Sequence, residues 1–347
     1  MMTIREYKKA ESLEEAWQLN QKKPNRVLGG MIWLKMENIN VGTAIDLSGL
    51  GLDTIEETDE GFSIGAMVTL RQLELHPGLA AYTDGAVRES VRHIVGVQLR
   101  NLATVGGSIY SRFGFSDVLT MFLALNASVE LYKGGIVPLA EYARRPYDRD
   151  ILVRVIVPKE DAKFCYQSVR NSQTDIPVLT CAAAKNAAGE YRFAIGARPG
   201  KAVLYTLPAD AGETPELTSA RFAASIRSRI KTESNMRGSA EYRNHLAGVL
   251  VMTVDPGFAG QQLVPAMLQK LRDLRAFLDE NGYPDLEIEV DGNVSFENAE
   301  KMRQAGATMF VGGSSSVFWK GASLSENIQR MYAVIGKRNI AVLQAVK

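Results

Sequence analysis

The chain has 347 residues, of which 46% are hydrophobic, and a formal net charge of +1. That length exceeds one ordinary core and predicts two to three domains, while the near-neutral balance argues against nucleic acid or an acidic membrane surface as the main partner. No apolar run reaches the roughly 18 residues a membrane helix needs, and MMTIREYKKAESLEEAW lacks a signal-peptide core, so a cytoplasmic protein is expected. Only Cys165 and Cys181 occur, too few for a disulfide scaffold or a protein-ligated iron–sulfur cluster.

In chain order, Ser12 with Glu15 predicts a capped helix carrying Leu13, Ala16 and Trp17 on one face. RVLGGMIWLKM reads as a short strand running into Gly29 and Gly30, and GTAIDLSGL as another strand. FSIGAMVTLRQLELHPGL predicts a strand and then a helix starting near Thr69. A helix over Ala86 to Val95 precedes VGVQLRNLATVGGSIYS, which reads as a glycine-punctuated loop. SDVLTMFLALNA predicts an apolar helix and SVELYKGG a strand with a turn. FCYQSVR, VLTCAAAK and YRFAIGA alternate like an antiparallel meander, with a turn at Asn186 to Gly189. RFAASIRSRI and MRGSAEYRNHLAGVL are helical in pattern.

At His245 to Gln262, HLAGVLVMTVDPGFAGQQ, the style changes. GVLVMTV reads as a buried strand ending at Asp255-Pro256-Gly257. Pro265 opens a helix with Met267, Leu271, Leu274 and Leu278 on one stripe. LEIEV is the next strand, Ser295 starts a helix that stops at Ala305-Gly306, TMFVGG is a third strand, and a last helix carries Leu324, Ile328, Met331 and Ile335. Strand–helix repeated three times is the pattern of parallel βα units.

Two features upstream carry chemistry: VLGGM at 27–31 and TVGGS at 104–108, each read as a Gly-Gly turn just after a strand. Such a turn lets consecutive N–H groups point into one concavity and removes the Cβ that would block a phosphate. Each alone is equally a plain structural turn. The wider stretch VQLRNLATVGGSIYSRFGFSDVLTMFLALNASVEL resembles the signature of the FAD-binding subunit of molybdenum hydroxylases, the medium subunits of xanthine dehydrogenase and carbon monoxide dehydrogenase. The resemblance extends to about residue 250 through IGAMVTLRQLE, RPYDRDILVRVIVP and MRGSAEYRNHLAGVL. It implies FAD held between two α+β subdomains with an antiparallel C-terminal domain beside them. Gly29 and Gly30, with Met31 after them, match the first phosphate loop; Thr104, Gly106, Gly107 and Ser108 match the second. Asp117 matches the acidic residue that follows, or else is a companion of the N-cap of its helix. The sequence departs from the family at Met31 and Ile32, where hydroxyl and polar residues are usual, and at Arg112 and Phe113, which replace smaller ones. The family implies no acid–base pair in this subunit: electrons come from an iron–sulfur partner and leave to NAD or another acceptor, with the molybdopterin site on another chain.

The segment VMTVDPGFAGQQLVPAMLQKL with LEIEVDGNVSFENAEKMRQAGATMFVGGSSSVF resembles the C-terminal part of ribulose-phosphate 3-epimerase and of allulose-6-phosphate epimerase, which are (β/α)₈ barrels. By that resemblance Asp255–Gln262 is a lid, Asp291 a catalytic carboxylate and metal ligand, and Gly292, Gly312, Gly313 and Ser314 phosphate-holding loops. Epimerisation needs an acid, a base and a metal. The family draws its histidines from earlier strands that are absent here, and the three histidines of this chain, His76, His93 and His245, all lie at or before position 245. Asp291 is therefore read as a vestigial, incomplete metal site, no divalent metal is expected, and epimerase activity is not expected.

The expectation is thus an α+β FAD-binding domain of two subdomains over residues 1–160, an antiparallel α+β domain over 161–247, and a partial barrel of three βα units over 248–347. The chain would be an FAD-binding electron-transfer subunit with iron–sulfur and molybdopterin partners. The competing reading is a chimeric scaffold with a vestigial flavin site, whose open barrel edges drive self-association.

Overall fold

The computed structural model describes residues 1–208, 215–252, 265–280, 284, 288–290, 294–310 and 316–336, and these fall into two compact units, Met1–Gly257 and Phe258–Lys347. The first unit opens with β1 (Thr3–Lys9), α1 (Leu13–Asn20), β2 (Arg26–Leu28) and β3 (Asn40–Asp46). Their strands form a parallel sheet in the order β1-β3-β2. Ser12 caps α1, its hydroxyl accepting from the Glu15 N–H at 3.1 Å, and Ala16 is buried against Ile45 and Leu47. The sequence gives no sign of β1, because TIREYKK has no apolar alternation. Its side chains are mostly exposed, and main-chain pairing to β3 alone makes it a strand.

A second layer follows: β4 (Ile55–Glu57), β5 (Gly61–Gly65), α2 (Leu70–Leu75), α3 (Pro77–Tyr82), α4 (Ala86–Arg92), α5 (Val97–Arg100), α6 (Val105–Tyr110), α7 (Asp117–Ala124), β6 (Ser128–Leu131), β7 (Gly135–Pro138), α8 (Leu139–Tyr142) and β8 (Leu152–Pro158). The strands make an antiparallel sheet in the order β4-β5-β8-β6-β7. Thr69 starts α2 with a full capping box to Gln72. All eight residues of α7 are buried, as its unbroken apolar run requires. Their neighbours Phe62, Ile64, Val105, Val129 and Val155 form the largest core.

The glycine-punctuated stretch from Val97 to Tyr110 departs from expectation. It folds as two short helices, α5 and α6, so Gly106 and Gly107 lie in the first turn of a helix and not in a turn after a strand. Thr104 decides this: its hydroxyl accepts from the Gly107 N–H at 3.1 Å, an N-cap bond that starts α6.

A third layer is the meander β9 (Ala162–Val169), β10 (Leu179–Asn186), β11 (Glu190–Gly196) and β12 (Val203–Pro208), antiparallel throughout, followed by α9 (Pro215–Arg229) and α10 (Ala240–Met252). Phe222 and Ile226 of α9 and Leu246 and Ala247 of α10 pack on Leu179, Phe193 and Ile195. Here the second departure appears. The sequence predicts a strand over GVLVMTV from Gly248, whereas α10 stays helical to Met252. A short Val/Leu run is compatible with either period. The helix is already started, with Ser239 Oγ accepting from the Tyr242 N–H at 3.1 Å, and extending it adds one hydrogen bond per residue.

The second unit holds α11 (Pro265–Glu280), β13 (Glu289–Val290), α12 (Phe296–Gln304), β14 (Met309–Phe310) and α13 (Leu324–Ile335). β13 and β14 pair in parallel, and Leu271, Val290, Ala299, Met302 and Met331 form the core. The described residues therefore show two parallel strands with three helices, the predicted first barrel strand being replaced by the end of α10. Among the described residues no helix is long and apolar enough to cross a membrane.

A buried ion pair positions the segment that precedes α6. Arg100 Nε donates to Glu74 Oε2 at 2.8 Å with the side chains 6% and 7% exposed, and Arg100 Nη1 donates to the Ile94 carbonyl at 3.0 Å. Glu74→Ala leaves a buried cation without its partner. Denaturant unfolding should show a loss of about 3–5 kcal/mol, with Arg100→Ala costing a similar amount and the double variant clearly less than the sum.

Candidate functional site

The site is built where the first and second layers of the N-terminal unit meet. β2 ends at Leu28, and the chain turns through Gly29 and Gly30 into Met31, whose φ of 56° lies in the left-handed region. Among the described residues, the N–H groups of Gly29, Gly30, Met31 and Ile32 have no acceptor. Four consecutive free donors at a bend form a nest suited to an anion.

Thr104 to Ser108 stand directly opposite. A Cβ on Gly30 would lie 2.0 Å from the Leu102 carbonyl oxygen, and one on Gly29 would lie 2.9 Å from Thr104 Oγ1 and 3.5 Å from Gly107 Cα. The two diglycine bends are thus in contact. Their roles differ, however. The second bend spends its donors internally: Val105 N–H on Val68 O at 2.8 Å, Gly106 N–H on Ala66 O at 2.8 Å, and Ser108 N–H on Thr104 O at 3.0 Å. Ser108 Oγ donates to the same Thr104 carbonyl at 2.9 Å. Free main-chain donors come from the first bend, and the second supplies close approach.

A cleft of about 740 Å³ opens beside the bends, lined by Gly29, Gly30, Met31, Thr104, Gly106, Gly107, Ser108 and Asp117 among others. That volume lies in the range of small-molecule and cofactor sites. Two non-glycine residues at its wall are held at positive φ, Met31 at 56° and Val95 at 47°, and Arg112, between the lining residues Ser111 and Phe113, is a third at 45°, each at a cost of roughly 1–2 kcal/mol. Trp33, Phe113 and Phe115 also line it and form one aromatic cluster. Phe113 stacks on Phe115 at 5.1 Å between centroids, and Trp33 packs on both at 5.7 and 5.3 Å.

Asp117 is the first residue of α7, with Ser116 as the N-cap. Its carboxylate is buried and accepts from Tyr166 Oη and Arg170 Nη2. Burial pushes its pKa up to about 6, against the opposing pull of Arg170 and Tyr166. Asp117 therefore fastens α7 to β9 while one face of it meets the cleft. Sequence reasoning singled out Asp117 but not Tyr166, Arg170 or Trp33. Trp33 and Arg170 come to the wall, and Tyr166 to Asp117 behind it, from other layers, and no local pattern marks them.

Asp291, Gly292, Gly312, Gly313, Ser314 and the segment Asp255–Gln262 lie outside the described residues. Among the described residues, no group of three or more His, Cys, Asp or Glu side chains could hold a metal ion.

Residues 2–160 match the family described as FAD binding domain in molybdopterin dehydrogenase. The N-terminal part of this chain is an FAD-binding domain of that family. Three-quarters of the chain is 26% identical over 269 residues to the uncharacterized protein YgfM of Escherichia coli K12, covering all of it. The fold is that of reconstituted CO dehydrogenase from Oligotropha carboxidovorans, with a TM-score of 0.64, 22% identity, and 72% of this chain and 95% of that one covered. Quinoline 2-oxidoreductase from Pseudomonas putida 86 is similar at a TM-score of 0.63, 22% identity, and 72% and 94% coverage. Residues 230–318 match the ribulose-phosphate 3 epimerase family. The epimerase of Escherichia coli K12 is 48% identical over 67 residues, which are 19% of this chain and 29% of that enzyme. The chain thus spans under a third of the length of that relative.

The cleft fits the family's cofactor, FAD. The open N–H row at Gly29–Ile32 faces a second bend where Gly107 is exposed and carries no Cβ to fill the space. Gly30→Ala and Gly107→Ala separate the two roles. The first drives a methyl into the Leu102 carbonyl and should cost more than about 2 kcal/mol on unfolding. The second meets only Thr104 Oγ1 at 3.1 Å; it should leave the melting temperature within a few degrees while weakening FAD binding in a fluorescence titration.

Proposed function

We propose that this chain is the FAD-binding electron-transfer subunit of a molybdenum-hydroxylase-type complex, with the cofactor's diphosphate on the first bend. The carrying observation is the row of four unengaged N–H groups from Gly29 to Ile32, pressed against the second diglycine bend in a cleft of cofactor size. Gly29, Gly30 and Met31 donate to phosphate oxygens. Thr104, Gly106, Gly107 and Ser108 form the opposing wall, rigid because their own hydrogen bonds are closed within α6 and to Ala66 and Val68. Asp117 keeps α7 and β9 together at the cleft edge. When bound, FAD supplies the electron chemistry, and the protein positions it and sets its surroundings.

By this reading the electrons come from an iron–sulfur partner and leave to NAD or another acceptor, while substrate oxidation belongs to a molybdopterin-bearing partner. Support comes from the family of residues 2–160 and from the shared fold with CO dehydrogenase and quinoline 2-oxidoreductase. The epimerase-like segment is read as a vestige without epimerase activity, since no histidine follows His245.

The visible spectrum tests this. Purified protein, or protein given FAD and desalted, should show the oxidised flavin band near about 450 nm in roughly one-to-one amount, and dithionite should bleach it. Colourless protein that takes up no FAD would overturn the reading and favour a scaffold with a vestigial cleft, to which Met31 in the left-handed region already adds strain.

A further inference from the structure

Arg112 follows α6 with its backbone in the left-handed region and its side chain 2% exposed. The guanidinium carbon lies 4.0 Å from the Tyr142 ring centroid, 4.9 Å from that of Tyr147 and 5.8 Å from that of Tyr110. Among the described residues, Nε, Nη1 and Nη2 all lack a hydrogen-bond partner, and so does the buried Tyr142 hydroxyl. Tyrosine faces offset part of the lost hydration, but a buried cation with no acceptor remains a cost that the fold has retained.

The cage lies at the cleft. Tyr110, Ser111, Phe113 and Tyr147 all line it, so the guanidinium stands one side chain behind the wall. Tyr147 closes this side, its hydroxyl donating to the Ser111 carbonyl. In the chain Arg112 stands two residues after the end of α6, the helix that begins at the second bend.

The lining carries five carboxylates, those of Glu37, Asp117, Asp148, Asp150 and Asp175, against the three guanidiniums of Arg26, Arg149 and Arg170. Each of those guanidiniums already has protein acceptors. Arg26 donates to Lys23 O and Asn25 O, Arg149 to Asn20 O, Lys22 O and Lys23 O, and Arg170 to Asp117. The N–H groups of the first bend add dipoles but no formal charge. Asp117 is paired with Arg170 and Asp175 with Arg237, so the like charge that a diphosphate entering the cleft meets is that of Glu37, Asp148 and Asp150. Behind this wall, Arg112 is a cation without an acceptor among the described residues.

We propose that Arg112 is the counter-charge for the diphosphate of the dinucleotide, a positioning residue acting through the tyrosine wall without touching the ligand. The inference rests on the dinucleotide reading given under Proposed function. A charge buried in a medium of low polarity and away from salt acts over several ångströms with little screening, so the guanidinium need not leave its cage. The strained turn and the missing partner are then two parts of one arrangement: the fold holds a bare positive charge where the ligand brings a negative one.

Calorimetric titration of ligand-free protein with ADP, riboflavin and FAD tests this, because ADP carries the diphosphate without the flavin and riboflavin carries the flavin without phosphate. Arg112→Met should weaken ADP and FAD binding about tenfold, the order expected for removing one unit charge several ångströms from the diphosphate, and leave riboflavin binding unchanged. The melting temperature of the ligand-free variant should hold or rise, since an uncompensated buried charge is gone. Arg112→Lys should restore most of the ADP affinity, and Arg112→Gln should show the same loss as Met if the Met variant fails to fold. A Met or Gln variant that binds ADP like the wild type, or loses riboflavin by the same factor, would overturn the proposal. Wild-type protein that binds ADP in an Arg112-dependent way but takes neither riboflavin nor FAD would sink the flavin reading and leave the counter-charge standing. Wild-type protein that binds riboflavin and not ADP would do the reverse.

Discussion

The Leu102 carbonyl lies so close behind Gly30 that an added Cβ would meet it at 2.0 Å, and Thr104 Oγ1 would meet one on Gly29 at 2.9 Å. This main-chain contact joins the parallel sheet of the first layer to the helices of the second. It also explains why the bends are built differently. Thr104 uses its hydroxyl and carbonyl to close Gly107 and Ser108 into α6, which makes one side stiff. The first bend rests on that stiff side and keeps its own N–H groups open. A free donor row exposed to water is stable only if something else fixes its shape, and here the opposite wall does so.

Strain and buried charge around the cleft follow from the same constraint. Met31, Val95 and Arg112 are held in the left-handed region without being glycine, which surrounding structure must over-determine. Two buried ion pairs contribute to that. Glu74 with Arg100 fixes the chain that leads into the second bend, and Asp117 with Arg170 fixes α7 to the meander. Neither pair is strong evidence of net stability by itself. Both specify which segments meet, and a cleft between layers depends on that.

The junction near residue 248 shows how a sequence with two local readings is resolved. GVLV satisfies a buried strand as well as a helix face, and the pattern downstream favours the strand. Leu246 and Ala247 are already docked on the core of the third layer, and the helix they belong to continues through Met252. A strand needs a neighbouring strand for its hydrogen bonds, whereas a helix supplies its own, so the upstream element extends into the segment.

Much of this was legible in the residues. Caps at Ser12, Thr69 and Ser295, the meander with its turn at Asn186 to Gly189, the apolar α7 and the stripe of α11 all follow from local periodicity and short-range hydrogen bonding. The two diglycines and Asp117 could be picked out because glycine and a lone acid in an apolar setting mark special backbone or burial. Tertiary structure decided what local pattern cannot encode. It made β1 a strand through pairing alone, turned the second diglycine from a loop into the first turn of a helix, brought Tyr166 and Arg170 from β9 and the residue just after it to Asp117, and buried Arg112 among three tyrosines. Periodicity and capping act over a few residues and are written in order along the chain. Close approach between layers, and the fate of a charge enclosed by them, depend on residues far apart in sequence and exist only once the layers have packed.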